Sequence, residues 1–171
     1  GLTTVMVTHD QEEALSIADR IFVMDGGKIM QSGTPEEIYA NSSNPFVANF
    51  IGMTNFIEGH VLNKDSIKVE TQQIAINSHG YKKGTKVIIA ARPEYIQLAE
   101  KNSSNTFVGR VVDVEFLGSF LRIHLETSIM PDQPLIADKP MIDNFSKSVA
   151  IGDNLSFTLS PNHLNVYECA N

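Results

Sequence analysis

Tryptophan is absent from this chain of 171 residues, and cysteine occurs once, near the end, as Cys169. One cysteine excludes an internal disulfide framework and suits a reducing compartment. No apolar run reaches the length of a membrane-spanning helix, and no secretory leader pattern opens the chain. Basic residues are also few, 13 Lys and Arg against 20 Asp and Glu, for a net charge of −7. Residues 1–52 hold seven acids and two bases, and residues 53–171 hold thirteen acids and eleven bases. Neither part offers the basic footprint that nucleic acid requires, so no nucleic-acid partner is expected.

What is present changes character near residue 52. Leu2 to Thr8 is apolar and β-branched without alternation, which suits a strand covered on both faces in a parallel sheet. No parallel neighbours follow, so that run is expected to be disordered, re-paired against another copy or packed on the β module. Asp10 with Glu13 forms a capping-box pattern ahead of a helix over Gln11 to Asp19. Ile21 to Met24 and Lys28 to Gln31 flank an Asp25-Gly26-Gly27 turn and read as a hairpin. Thr34-Pro35-Glu36-Glu37 and Asn44-Pro45 start two further short helices, the second with a Phe46, Val47, Phe50, Ile51 stripe and Gly52 as its C-cap.

From Asn55 the pattern becomes short strands with turn residues every eight to twelve positions, an all-β barrel or sandwich signature. Strands are expected near 55–62, 66–70, 73–77, 85–91, 95–98, 106–116, 120–126, 134–138, 153–159 and 163–167. A short helix is expected over Met141 to Lys147. An internal repeat runs through this region. Gly84 to Leu98 aligns without gaps on Gly152 to Val166, keeping the turn glycine, alternate apolar residues and the proline that stops the strand. Phe56-Ile57-Glu58-Gly59-His60-Val61 likewise matches Thr106-Phe107-Val108-Gly109-Arg110-Val111. Two β units too small to bury a face alone should pack into one barrel-like module.

Few residues suggest chemistry on their own. His9 stands at a strand end just ahead of a capped helix, where an imidazole can face a phosphate. Glu12 and Glu13 form a carboxylate pair, but capping explains Glu13 better than acid–base work. His60, His79, His124 and His163 are too widely spaced to suggest a metal cluster, so no metal site is expected. Arg92 is expected to act inside the β module, Phe46 and Phe50 to pack between domains, and Phe116-Leu117-Gly118-Ser119-Phe120 to be a hairpin.

The segment Thr4-Val5-Met6-Val7-Thr8-His9-Asp10-Gln11-Glu12-Glu13-Ala14-Leu15 resembles the switch-histidine segment of ATP-binding cassette importer ATPases. Gly27 to Tyr39 and Pro45 to Gly52 continue the likeness. Ala91-Arg92-Pro93-Glu94 and Gly109 to Gly118 resemble the family's transport-associated oligobinding domain. The resemblance implies a mainly β fold: an OB-like duplicated β-barrel module at 53–171, preceded at 1–52 by the α/β tail of a P-loop ATPase domain. It implies a cytoplasmic protein, peripheral on the inner face of the plasma membrane. It would work as a homodimer through the β domain, with membrane permease subunits and a solute-binding protein. ATP and Mg2+ would serve the intact protein, with His9 contacting the γ-phosphate. The phosphate-cradling glycine loop with its lysine, the signature loop, and the metal-binding aspartate with its catalytic glutamate are not in this sequence, so residues 1–171 alone should not hydrolyse ATP. The Ile51 to Phe56 segment resembles members handling 2-aminoethylphosphonate, polyamines or ferric iron, the first favoured. A stand-alone oxyanion-binding β module is the alternative reading, with Gly118-Ser119 or Ser146-Lys147 as its candidate residues.

Overall fold

A computed structural model describes residues 1–98, 105–141 and 149–169. It divides into two compact units, Gly1–Met53 and Thr54–Asn171.

In the first unit, α1 (Gln11–Ile17) begins where Asp10 Oδ1 accepts the Glu13 amide at 3.0 Å. The other half of the expected box is made differently: the Asp10 amide donates to Thr8 Oγ1 at 3.0 Å. The hairpin β1 (Ile21–Asp25) and β2 (Lys28–Gly33) turns through Gly26 and Gly27, at φ 53° and 76°. Positive φ at both positions is the geometry that closes a tight hairpin, and it favours glycine. α2 (Pro35–Ala40) carries a complete capping box between Thr34 and Glu37. α3 (Pro45–Ile51) starts on Asn44, whose Oδ1 accepts the Val47 amide at 3.0 Å. Gln31 ties the α2–α3 connection to β2, donating to Asn41 O and accepting from the Ser43 amide.

A small core of Ile21, Val23, Ile38, Val47 and Ile51 holds these elements together. The α3 stripe is narrower than expected. Val47, Ala48 and Ile51 are buried, whereas Phe46 and Phe50 stack on each other at 5.9 Å on the open side. The Leu2–Thr8 run is not a strand. It carries no ladder, and Leu2, Val5 and Val7 are 93%, 88% and 96% exposed. A strand meant for two covered faces has no partner here to satisfy its backbone.

The second unit is entirely antiparallel. β3 (Asn55–Asn63), β4 (Ser66–Val69) and β5 (Gln72–Ala75) form a meander that β6 (Lys86–Ala91) joins beside β3. A 3-10 turn at Pro93–Tyr95 leads to β7 (Ile96–Leu98). β8 (Thr106–Phe116), β9 (Phe120–Thr127) and β10 (Met130–Pro140) form the second meander. β11 (Asn154–Leu159), a 3-10 turn at Pro161–His163 and β12 (Leu164–Glu168) complete the chain's ordered pattern. The sheet orders are β10-β9-β8-β11-β7 and β12-β6-β3-β4-β5. The helix expected over Met141 to Lys147 lies outside the described residues, save Met141.

The repeat is real in three dimensions, and the halves are interleaved. Ile96, Gln97 and Leu98 pair with Leu159, Thr158 and Phe157. Their equivalents Leu164, Asn165 and Val166 pair with Ala91, Ala90 and Ile89. Each half thus lends its last strand to the other half's sheet, around a pseudo-two-fold axis. Tyr95 and His163, equivalent residues, stack on each other at 4.2 Å with their planes 10° apart. Gly59 faces Val87 in one half, and Gly109 faces Leu155 in the other. One core spans both halves, with Ile57, Ile67, Val87 and Ile89 meeting Val111, Ile123, Leu125 and Phe157.

Two asparagines outside the sequence-level repeat lock this arrangement. Asn55 donates from Nδ2 to Ala91 O (3.1 Å) and Ile136 O (2.9 Å), and its Oδ1 accepts the Ile136 amide (2.7 Å). Asn105 donates to Leu159 O (2.9 Å) and Ala75 O (2.6 Å) and accepts the Ala75 amide (2.7 Å). Ala91 and Leu159 are themselves repeat equivalents. Each asparagine therefore pairs both backbone groups of one residue on the free edge of the other half's meander, Ile136 on β10 or Ala75 on β5, where an unpaired strand edge is otherwise open.

Candidate functional site

His9 is exposed in a bend between Thr8 and Asp10, directly before α1. Its two neighbours are occupied, Thr8 by the Asp10 amide and Asp10 by the Glu13 amide. Glu12 is exposed in the first turn of α1 with Glu13, where carboxylates face the positive end of the helix dipole. The four other histidines are not brought together. His60 is exposed on β3, His163 stacks on Tyr95, and His79 Nδ1 accepts the Tyr81 amide at 3.1 Å. Arg92 is 6% exposed and donates from Nη1 to Thr54 Oγ1 at 3.1 Å.

A group of charged side chains gathers on the outer face of β8, β9 and β10. Arg122 makes a bidentate bond to Asp138, at 2.9 and 2.8 Å, with both side chains mostly covered. That pairing holds the guanidinium still higher than its usual range. Beside it, His124 Nε2 lies 2.6 Å from Glu115 Oε1, and Asp113 is the direct cross-strand partner of His124. Lys139, half-buried next to Asp138, is pushed down to about 8 by its burial. Sequence spacing hid this grouping, because a register shift between Val111 and Asp113 decides which side of β8 the acids take.

Phe116 to Phe120 forms the β8–β9 turn, with Gly118 at φ 78° and the Met141 amide donating to Ser119 O. Gly118 and Ser119 are exposed there. Ser146 and Lys147 lie outside the described residues.

Comparison with known proteins places this geometry. Residues 89–166 match the TOBE domain family, a span that runs from β6 into β12. The chain is 32% identical to the spermidine/putrescine import ATP-binding protein of Clostridium acetobutylicum, over 97% of its own length and 44% of that protein. The corresponding protein of Acetivibrio thermocellus is 37% identical over the same shares. This chain belongs to the TOBE-domain ATP-binding subunits of ABC importers. The Fe(3+) ions import ATP-binding protein of Rhizobium meliloti is a further relative, 40% identical over 81% of this chain and 38% of that one. The chain thus spans less than half the length of the curated relatives it matches. Among solved structures, the cytoplasmic molybdate-binding protein ModG shares the fold, with a TM-score of 0.54 at 12% identity, over 66% of this chain and 94% of that one. The fold is mainly β and OB-like, as expected. The family match begins only at β6, yet β3, β4 and β5 are integral to the TOBE barrel because β12 and β6 join them in one sheet.

Among the described residues, no helix is long and apolar enough to cross a membrane.

Proposed function

We propose that residues 1–53 contribute the switch-histidine end of a nucleotide-binding domain and that the β unit is the subunit's dimerising and regulatory domain. The carrying observation is the single alignment that covers both units with one class of relative, the import ATP-binding proteins. In a protein of the relatives' full length, His9 would donate a hydrogen bond to a terminal phosphate oxygen, and two copies would pair through their β units. The assembly would sit on the cytoplasmic face of the membrane with permease subunits and be served by a solute-binding protein. The named relatives import spermidine/putrescine or Fe(3+), which favours a polyamine or iron over the aminophosphonate suggested by the Ile51 to Phe56 segment.

ATP and Mg2+ do not fit the residues of this chain alone. One exposed imidazole, flanked by groups already engaged in capping, does not make a nucleotide pocket. Purified residues 1–171 should therefore show no ATP turnover above the blank. In a full-length protein carrying this segment, His9→Ala should lower turnover about 100-fold or more, by analogy with loss of one preorganised charge-stabilising donor, while ATP still binds. Turnover by residues 1–171, or full activity in the His9→Ala protein, would refute the assignment.

The oxyanion-module reading draws on the fold shared with a molybdate-binding protein. Calorimetric titration of residues 1–171 with molybdate, sulfate and phosphate separates the two readings, since heat of binding at one site per β unit would favour the second.

A further inference from the structure

We propose that Asp113, Glu115 and His124 form a binding site for a divalent first-row transition metal ion on the outer face of the TOBE barrel. Their donor atoms all lie within 4.8 Å of one another. Glu115 and His124 are already in contact at 2.6 Å, and Asp113 sits across the ladder from His124. A zinc-like ion held at about 2.0–2.2 Å from each donor needs them roughly 3–4 Å apart. Asp113 and Glu115 are exposed, so their side chains can close the remaining distance by rotation.

The backbone explains why the three meet. A bulge between Val111 and Asp113 inserts Val112, so that Asp113 and Glu115 share the outer face with His124 while Val114 packs on the core. Bulges re-aim side chains in this way. The duplicated fold supplies an internal control. β3 has the equivalent register shift, between Val61 and Asn63, and there Asn63 pairs with Ser66. Asn63 Oδ1 accepts the Asp65 amide two residues on, whereas Asp113 Oδ1 accepts that of the adjacent Val114. The bulge is therefore a device of the barrel common to both halves. The imidazole and paired carboxylates occur in the second half alone.

Charge and donor type select the ion. Arg122 is committed to its bidentate bond with Asp138, whereas Glu115 is held by His124 and Asp113 by the Val114 amide, contacts through single oxygens that leave each carboxylate a second oxygen for an ion. A neutral imidazole with two carboxylates suits zinc and its first-row neighbours, whereas calcium and magnesium prefer all-oxygen sets. The three groups leave coordination positions open to water or a further ligand. On binding, His124 Nε2 exchanges its contact with Glu115 for the metal, its proton moving to Nδ1 or to solvent.

The test is calorimetric titration of residues 1–171 with zinc alone, alongside His124→Ala, Glu115→Gln and Asp113→Asn. The expected result is one zinc per chain, weakened at least 10-fold by each substitution, with His9→Ala and His60→Ala binding like the parent. Equal thermal transitions without zinc check that the variants fold. Nitrogen NMR of the imidazoles in the unsubstituted protein gives a second reading, in which zinc should shift the His124 ring nitrogens first. Parent-like zinc binding by His124→Ala, no zinc binding by the parent, or an unshifted His124 ring would each overturn the proposal.

Discussion

Removing the side chain of Asn55 should unfold the β unit more readily than any surface change of equal size. Asn55 is 2% exposed and makes three hydrogen bonds, two to carbonyls and one from the Ile136 amide. Each such bond contributes about 1 kcal/mol net, and a covered amide left without a partner adds about 1–3 kcal/mol more. Asn55→Ala should therefore cost about 4–6 kcal/mol, a large share of the stability of a domain this size. Asn105 makes the equivalent three bonds but is only half-buried, so water can replace part of what Asn105→Ala removes. Its backbone also sits at φ 59°, which asparagine tolerates better than alanine. Asn105→Gly relieves that strain and isolates the hydrogen-bond loss. Urea unfolding followed by far-UV circular dichroism reads both costs, since the chain has no tryptophan. A loss below about 1 kcal/mol for Asn55→Ala, at unchanged m-value, would refute the idea that these asparagines tie the strand edges to the other half.

Three further outcomes follow from the same structure. Gly59→Ala should destabilise more than Gly109→Ala in urea melts. A Cβ at Gly59 would lie 2.6 Å from Ile67 Cγ2 and 2.7 Å from the rigid Lys68 carbonyl, against 2.9 Å from Leu125 Cβ at Gly109. Asp138→Asn should cost about 2 kcal/mol by leaving the mostly covered Arg122 without its carboxylate, and Arg122→Met with Asp138→Leu should recover much of the loss in the same assay. Lys139 binds its proton less tightly in the folded state, at about 8 against 10.5. The unfolded chain then carries more protons between those values, so stability should rise with pH across that window. Lys139→Met should flatten the rise in urea midpoints.

Much of the fold was readable along the chain because its signals are local. Gly26-Gly27, Thr34-Pro35 and Asn44-Pro45 announce their turn and caps through residue chemistry alone. The strands from Asn55 onward alternate inward and outward residues, and Gly84 and Gly152 mark the repeat at matching turns, both at positive φ. Non-local features were hidden. The exchange of β7 and β12 between halves has no sequence signature, since either pairing satisfies the same alternation. Asn55 and Asn105 sit one residue outside the matched repeat segments, and their partners Ile136 and Ala75 are 81 and 30 residues away. The bulge at Val112 reverses the alternation in mid-strand, which is why Asp113, Glu115 and His124 read as unrelated surface residues. Leu2 to Thr8 has the composition of a strand covered on both faces, and without parallel neighbours to pair with it carries no ladder here.

The crossing of the two terminal strands sets an order of events during synthesis. The first half's sheet is missing its outer member until Leu164 to Glu168 have been made, so the barrel cannot close around a nascent chain still inside the ribosome at that point. Closing the first half's sheet therefore waits on a contact distant along the sequence, which slows folding relative to a meander that pairs with its own neighbours.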